Sequence, residues 1–408
     1  MKALDRKLLR GLRLMWSQTL IIALVVASGV GGFITTFSAV DSLELARDRF
    51  CASGRFVDVF ASVKRAPNAL MQTLLTLPGV ADAQTTIEQI VRIELPGVVD
   101  AVIGQLIGVD PQAPMRMNRV TLRNGRALDT TALTDQAIPA LVSAAFADAR
   151  GLPPGTRISA LINGKRRTLE IAGIALSPEF IFAGSQGVPN LRGFGVFWVP
   201  RGALAAAYDM QGAFNRIAVK LAPGASEPGV VDQLSAQLSR YGGREAHGRK
   251  DQSSHAMLDS EIKEQRALGT LLPIIFLSVA AFLLNVVVSR LVATQREQIA
   301  AIKALGYPNQ TIALHYLKLV LVIVALGLML GVALGNWLGT QLVGLYAQSF
   351  HFPSFEHSVA GWLLVVSIGI TVATAVLGTL NAILATGAAG TARDHAARGT
   401  WALPAHGA

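Results

Sequence analysis

Residues 294–308 read TQREQIAAIKALGYP, a polar stretch lying between two long apolar runs. Taken as a helix, it places Ile299, Ile302 and Leu305 at every third residue to form an apolar stripe, while Arg296 and Lys303 share a neighbouring edge. Gly306 supplies a C-terminal stop and Pro308 reinforces it. On composition alone, a short amphipathic helix between two membrane spans serves as an interfacial connector lying on lipid headgroups.

The flanking runs support a membrane setting. Leu268–Ser289 carries no charge, with Pro273 near its outer end, where a kink is expected. The run after the polar stretch begins near Leu317, and Lys318 at its border can snorkel to the headgroups. Within it Gly327, Gly331, Gly335 and Gly339 recur every fourth residue, lining one helix face where another helix can approach closely, within the protomer or across a dimer. A further apolar run spans 360–384. At the other end of the chain, Lys2, Arg6, Lys7, Arg10 and Arg13 precede an uncharged run from Leu14 to Val40, longer than the roughly 20 residues that a spanning helix needs. In that run Ser28 and Gly32, with Gly29 and Gly31 beside them, offer a second close-packing surface. A cleaved signal peptide has a core of only about 7–15 residues, shorter than this run.

Charge distribution fixes the expected topology. The net charge is +10, yet residues 39–267 hold 25 Lys+Arg against 22 Asp+Glu, a difference of +3, so +7 lies in and beside the apolar runs. Basic residues before the first run, at Arg290, Arg296 and Lys303, and at Arg393 and Arg398 put those segments inside. The segment from Tyr346 to Val359 has no Lys or Arg and carries Phe350, Phe352 and Phe355, as expected of an outer loop with an aromatic belt. This distribution argues against nucleic-acid binding.

The expected fold is a multi-pass α-helical membrane protein with four transmembrane helices and a large α+β extracytoplasmic domain inserted between helices 1 and 2. Its expected segments are a cytoplasmic N-terminus at 1–13, spans at 14–40, 268–289, 313–342 and 360–384, the domain at 41–267, a cytoplasmic connector at 290–312, an outer loop at 343–359 and a tail at 385–408. The first span is expected to continue as a stalk through Leu43, Ala46 and Phe50, and the second to be preceded by one through Leu258, Ile262 and Leu268. In the domain, strands are expected at Ile87–Leu95, Thr156–Ile162, Arg167–Ile174, Val196–Val199 and Arg216–Leu221. Asn163-Gly164 signals a hairpin. Helices are expected at Pro67–Leu77, Thr134–Ala149, Arg201–Tyr208 and Pro228–Tyr241. The tail, TGAAGTARDHAARGTWALPAHGA from Thr386, reads as small and loose.

Several chemistries are not expected. The chain lacks the Gly-x-x-x-x-Gly-Lys-Ser/Thr loop that cradles nucleotide phosphates, so it is expected to be no enzyme and to carry no cofactor. His247, His255, His351 and His357 lack metal spacing and read as solvated. Cys51 is the lone cysteine, so no internal disulfide can form. Asn285 and Asn336 are the most polar groups deep in the spans, and either can hydrogen-bond between helices; with no ionisable residue there, ion-coupled transport is disfavoured.

Residues 296–307, REQIAAIKALGY, resemble the cytoplasmic motif of FtsX-like permeases, the membrane subunits of MacB-type ABC transporters. The match runs through Ile299, Ala300, Ala301, Ile302, Lys303 and Ala304-Leu305-Gly306, with Gln298 where the family usually has an acid and Glu297 one step away. Leu77-Pro78-Gly79-Val80, the hairpin and Phe194–Pro200 resemble the family's extracytoplasmic domain. The resemblance implies that Arg296, Glu297, Ile299, Ile302, Lys303, Leu305 and Gly306 couple to a separate ABC ATPase. It implies a second permease unit in a homodimer or heterodimer, a periplasmic adaptor as a further candidate partner, contact with membrane lipid, and residence in a bacterial inner membrane with both termini cytoplasmic. The implied function is export or extraction of a lipid, lipoprotein, peptide or other amphiphile; the alternative is a scaffold passing ATPase motion to a periplasmic cell-wall hydrolase. Larger members repeat the whole unit, and a truncated half of such a protein is a further expectation.

Overall fold

Long uncharged sequence becomes long unbroken helix. The computed structural model describes residue 13 and residues 16–97, 102–113, 115–128, 137–182, 184–185, 188–294 and 309–398. The chain enters through α1 (Trp16–Ser53), then β1 (Val59–Pro67), the short helix α2 (Leu70–Leu75) and β2 (Val80–Glu94). There follow β3 (Val102–Val109), β4 (Thr121–Gly125), β5 (Ile138–Ser143), α3 (Ala144–Arg150), β6 (Arg157–Ile162) and β7 (Lys165–Leu176). A small ribbon of β8 (Gly184–Ser185) and β9 (Val188–Pro189) leads to β10 (Phe194–Pro200), α4 (Arg201–Ala207), β11 (Ala213–Leu221), α5 (Glu227–Leu238) and β12 (His247–Gly248). Three long helices follow: α6 (Ser253–Thr294), α7 (Asn309–Ser349) and α8 (Gly361–Arg398).

The helices α1, α6, α7 and α8 each contain a window long and apolar enough to cross a membrane. Pro273 lies inside α6 without ending it. Two compact units divide at Ser42/Leu43, Lys263/Glu264, Val343/Gly344 and Glu356/His357. Helices α1 and α6 each run unbroken through a dividing residue.

In the membrane-helix unit, Ile22, Val26, Val30 and Ile34 recur every fourth residue along α1 and are buried against Ala280 and Leu284 of α6, Val320, Ile323 and Val324 of α7, and Ala375 of α8. Lipid tails are as apolar as these side chains, so the bundle is held by close van der Waals fit rather than by expulsion of water.

The other unit holds two linked β structures. The order β12-β1-β11-β2 is antiparallel throughout, and with α2 and α5 it makes a βαββαβ pattern of the ferredoxin-like kind. Its core places Leu70 and Leu74 of α2 and Val230, Leu234 and Leu238 of α5 on Val59, Ala61, Phe214, Ile217 and Val219. The three apolar positions of α5 fall four apart, which gives the helix one buried stripe. Everything from β3 to β10 is inserted between the second and third strands of this pattern.

The insertion closes on itself. β2 pairs with β3, β3 with β10, β10 with β5, β5 with β7, β7 with β6, and β6 returns to β2 at Arg92–Glu94. A ring of six strands results, with β4 added outside on β7. Ring closure leaves no free edge along those strands. β2 belongs to both structures: Val80–Thr86 pairs with β11 and Ile87–Ile93 with β3. The β6–β7 hairpin turns at Asn163 (φ 45°) and Gly164 (φ 73°), the two positive φ angles of a two-residue turn matching strand twist.

Several expectations are corrected. Thr134–Ala149 is not one helix: Ile138–Ser143 is the strand β5, paired on both sides, and only Ala144–Arg150 is helical among the described residues. A short apolar run buried on both faces has no periodicity to separate strand from helix. β1, β3, β4 and β12 were not expected from local pattern. Leu43, Ala46, Phe50, Leu258 and Ile262 are buried as stalk residues should be, whereas Leu268 is 41% exposed on the apolar part of α6. Phe350 is buried against Tyr346 and Phe182, and Phe352 meets Phe50 edge-on at 6.3 Å, so these aromatics fill the extracytoplasmic unit rather than form a belt. The tail, expected to be loose, continues α8 through Arg398, consistent with its alanine content.

Candidate functional site

Arg296, Glu297, Ile299, Ile302, Lys303, Leu305 and Gly306, the residues expected to couple to an ATPase, lie outside the described residues. The glycine row of α7 does not. A β-carbon built on Gly327 would sit 2.8 Å from Val26, one on Gly331 2.8 Å from Val30, and one on Gly335 2.8 Å from Ile34. Main-chain oxygens are almost as near: Ala23 O at 2.9 Å from the first, Ala27 O at 3.1 Å from the second and Gly31 O at 3.0 Å from the third. Thr35 adds a hydrogen bond, its Oγ1 donating to Gly335 O at 3.3 Å. The row therefore faces α1 of the same chain, with every fourth residue of α1 meeting every fourth residue of α7. Gly339 differs in meeting His357 and Ser38.

On α1 the close-approach positions are not Ser28 and Gly32. Ser28 is exposed and its hydroxyl donates to Leu24 O on its own helix, and a β-carbon on Gly32 would meet nothing within 4 Å. Gly31 faces α7 and Gly29 faces Phe276 and Leu277 of α6 instead. The helix turns about 100° per residue, so a choice among four neighbouring small residues was not decidable from their spacing.

A second constellation, absent from the sequence reading, ties the stalk ends to the sheet inside the extracytoplasmic unit. α1 ends at Ser53, and Gly54 is so close to Pro178 that a β-carbon would lie 2.7 Å from its ring. Arg55 then turns with φ 47° into Phe56, Val57 and β1. Asn118, itself at φ 48°, accepts from Val57 N at 3.1 Å and donates to Glu179 Oε2 at 2.7 Å. The other Glu179 oxygen accepts from Arg216 of β11, which also donates to Glu88 of β2. Gln105 of β3 donates to Glu88 Oε1 at 2.7 Å. Gln252, just before α6, donates to Glu179 O at 2.8 Å and accepts from His255 N at 2.8 Å. The buried Glu179–Arg216 pair thus connects the segment after α1, the sheet and the segment before α6.

The electrostatics suit a fixed joint. Burial disfavours the Arg216 charge, but Glu179 and Glu88 outweigh that and raise its pKa above the ordinary value. Burial also pushes the Glu179 carboxyl up, with the Arg216 charge opposing. Beside this joint Arg249 donates to Val57 O at 2.9 Å and Phe56 O at 3.0 Å, its guanidinium lying 5.0 Å from the Phe56 ring centre. Arg47 of the first stalk donates to Asp259 of the second at 2.9 Å. Polar side chains far apart in sequence carried no local signal; only the sheet brings residues 88, 179 and 216 together.

The histidines are less solvated than expected. His247 stacks on Phe60 at 5.8 Å, and the Nδ1 atoms of His255, His351 and His357 are buried without a hydrogen-bond partner among the described residues. Burial lowers the pKa of His255 and of His351. Asn285 accepts from Ser289 on its own helix.

Residues 19–237 match the model of the MacB-like periplasmic core domain, and residues 270–388 that of the FtsX-like permease C-terminal region. No curated protein matches the chain. Among solved structures, the extracellular domain of the ABC-type transporter YknZ from Gram-positive bacteria is similar at 12% identity and TM-score 0.31, covering 47% of this chain and 98% of that one. The periplasmic region of MacB from Actinobacillus actinomycetemcomitans is similar at 10% identity and TM-score 0.31, covering 51% and 94%. A domain of a permease protein from Porphyromonas gingivalis is similar at 16% identity and TM-score 0.28, covering 48% and 88%.

Proposed function

The chain belongs to the family of the MacB-like periplasmic core domain and carries the FtsX-like permease C-terminal region, and from that membership we propose that it is the permease subunit of an ABC transporter of the mechanotransmission type. A separate ATPase, closing on ATP at the cytoplasmic side, pushes the 294–306 stretch and moves the extracytoplasmic domain, driving export or extraction of an amphiphile. The observation that supports this reading is the continuity of α1 and α6, which pass from apolar sequence into charged sequence without a helix break. A lever needs such rigid elements. The Arg216 joint adds stiffness where those helices end.

The membrane in question is the bacterial inner membrane, with both termini cytoplasmic and residues 41–267 outside. Protease added to spheroplasts is expected to remove the segment between Ala39 and Ala267; protection there with cleavage in inverted vesicles would overturn the topology.

The coupling role rests on the apolar stripe. Burying a side chain the size of Ile302 against a partner is worth about 1.5–3 kcal/mol, whereas an exposed ion pair from Lys303 contributes about 0–1 kcal/mol. Ile302→Asp is therefore expected to abolish co-purification with the ATPase, while Lys303→Ala weakens function mildly and in a salt-dependent way. Retention of ATPase binding and transport in Ile302→Asp, with correct insertion, would leave the stretch an interfacial connector.

A further inference from the structure

We propose that a cavity of the extracytoplasmic unit, between the β3–β4 connection and the strand ring, binds the alkyl chain of a single-chain anionic amphiphile whose head is received by Arg119. The cavity has a volume of about 460 Å³, within the roughly 300–1,000 Å³ of small-molecule sites. Its wall is apolar: Met115 and Val120 from the connection, Leu128 after β4, Leu141 of β5 and Trp198 of β10. Leu141 and Trp198 are buried, and the indole is held edge-on by Phe180 at 6.1 Å, so this wall is preformed. Met115 supplies an adaptable thioether against a flexible chain.

The charged groups around the cavity are unequal. Arg116 is engaged, its Nη2 3.3 Å from Asp82 and donating to Ala83 O at 3.2 Å. Asp110 accepts from Gln112 N at 3.0 Å within its own turn. Arg119 is exposed, and its side chain has no partner among the described residues. Its main chain is nevertheless fixed, with Arg119 N donating to Gly54 O at 2.8 Å. A cation presented from an anchored backbone beside an apolar cavity complements a molecule with one greasy end and one anionic end. A neutral apolar ligand would leave that complementarity unused.

This inference deepens the permease reading by naming a cargo class, and rests on that reading only for the step from binding to transport. The full-length chain in phosphatidylcholine nanodiscs is to be photolysed with dodecanoate bearing a terminal diazirine, in parallel with the matching dodecanol, and its peptides mapped by mass spectrometry. Dodecanoate is expected to label peptides containing Met115, Leu141 or Trp198, and Arg119→Glu to reduce that labelling by about fivefold. Arg119→Lys should retain most of it, and dodecanol labelling of those peptides should be weak and insensitive to residue 119. Met115→Trp, which fills the mouth without altering charge, should block both probes. Labelling confined to the membrane helices, or cavity labelling unchanged in Arg119→Glu, would overturn the proposal. ATPase co-purification is scored on the same samples: its absence with cavity labelling intact overturns the permease reading and leaves the site standing.

Discussion

Arg216→Met is expected to destabilise the extracytoplasmic unit by about 3–5 kcal/mol, the usual consequence of removing one member of a buried ionic cluster. Arg216 and Glu179 have side chains only 16% and 7% exposed, and Glu88 is 21% exposed, so solvent cannot replace the lost charge. The variant would leave two carboxylates facing each other across the vacated position, with Asn118 and Gln105 as their remaining donors. Glu179→Gln should cost less, because Glu88 still neutralises Arg216 and an amide can still accept from Asn118.

The pH dependence separates the two variants. A carboxyl whose folded-state pKa is raised favours the folded state most below its unfolded pKa, and that contribution is lost as pH rises through the folded value. Glu179 is already raised by burial, and loss of the arginine raises it further. The Arg216→Met deficit should therefore shrink on acidification and widen towards neutral pH. Thermal or denaturant unfolding of the full-length chain in detergent reads this directly. A neutral-pH cost below about 1 kcal/mol would show that the cluster is not a buried joint.

Gly331→Leu and Gly335→Leu are expected to break the α1–α7 contact. The clash begins at the β-carbon, 2.8 Å from Val30 or Ile34 and 3.0–3.1 Å from a main-chain oxygen, so no rotamer of the new side chain relieves it. Overpacking a fitted interior costs about 1–3 kcal/mol even where side chains can adjust, and here the backbones must part. Gly369→Leu on α8 is the control, since a β-carbon there meets nothing within 4 Å. Both α7 variants should lose monodispersity and thermal stability in detergent while Gly369→Leu retains them. Unchanged behaviour of the α7 variants would mean that the bundle does not depend on this contact.

The sequence by itself determined the four long helices, the inserted α+β region and the family motif, because each of those signals is local. Twenty or more uncharged residues admit few structures in lipid, Asn163-Gly164 specifies its turn through backbone angles alone, and Val230, Leu234 and Leu238 announce a buried helix face by spacing. Tertiary structure decided the rest. Whether Ile138–Ser143 is strand or helix depended on β10 and β7 supplying partners on both sides. Which glycines of α1 touch another helix depended on the rotation of that helix within the bundle. The Arg216 joint draws on residues 88, 118, 179, 216 and 252, and the Arg119 cavity on two loops and three strands. Neither has a sequence period, because each joins side chains from strands and connections far apart in the chain that meet only once the strands have paired.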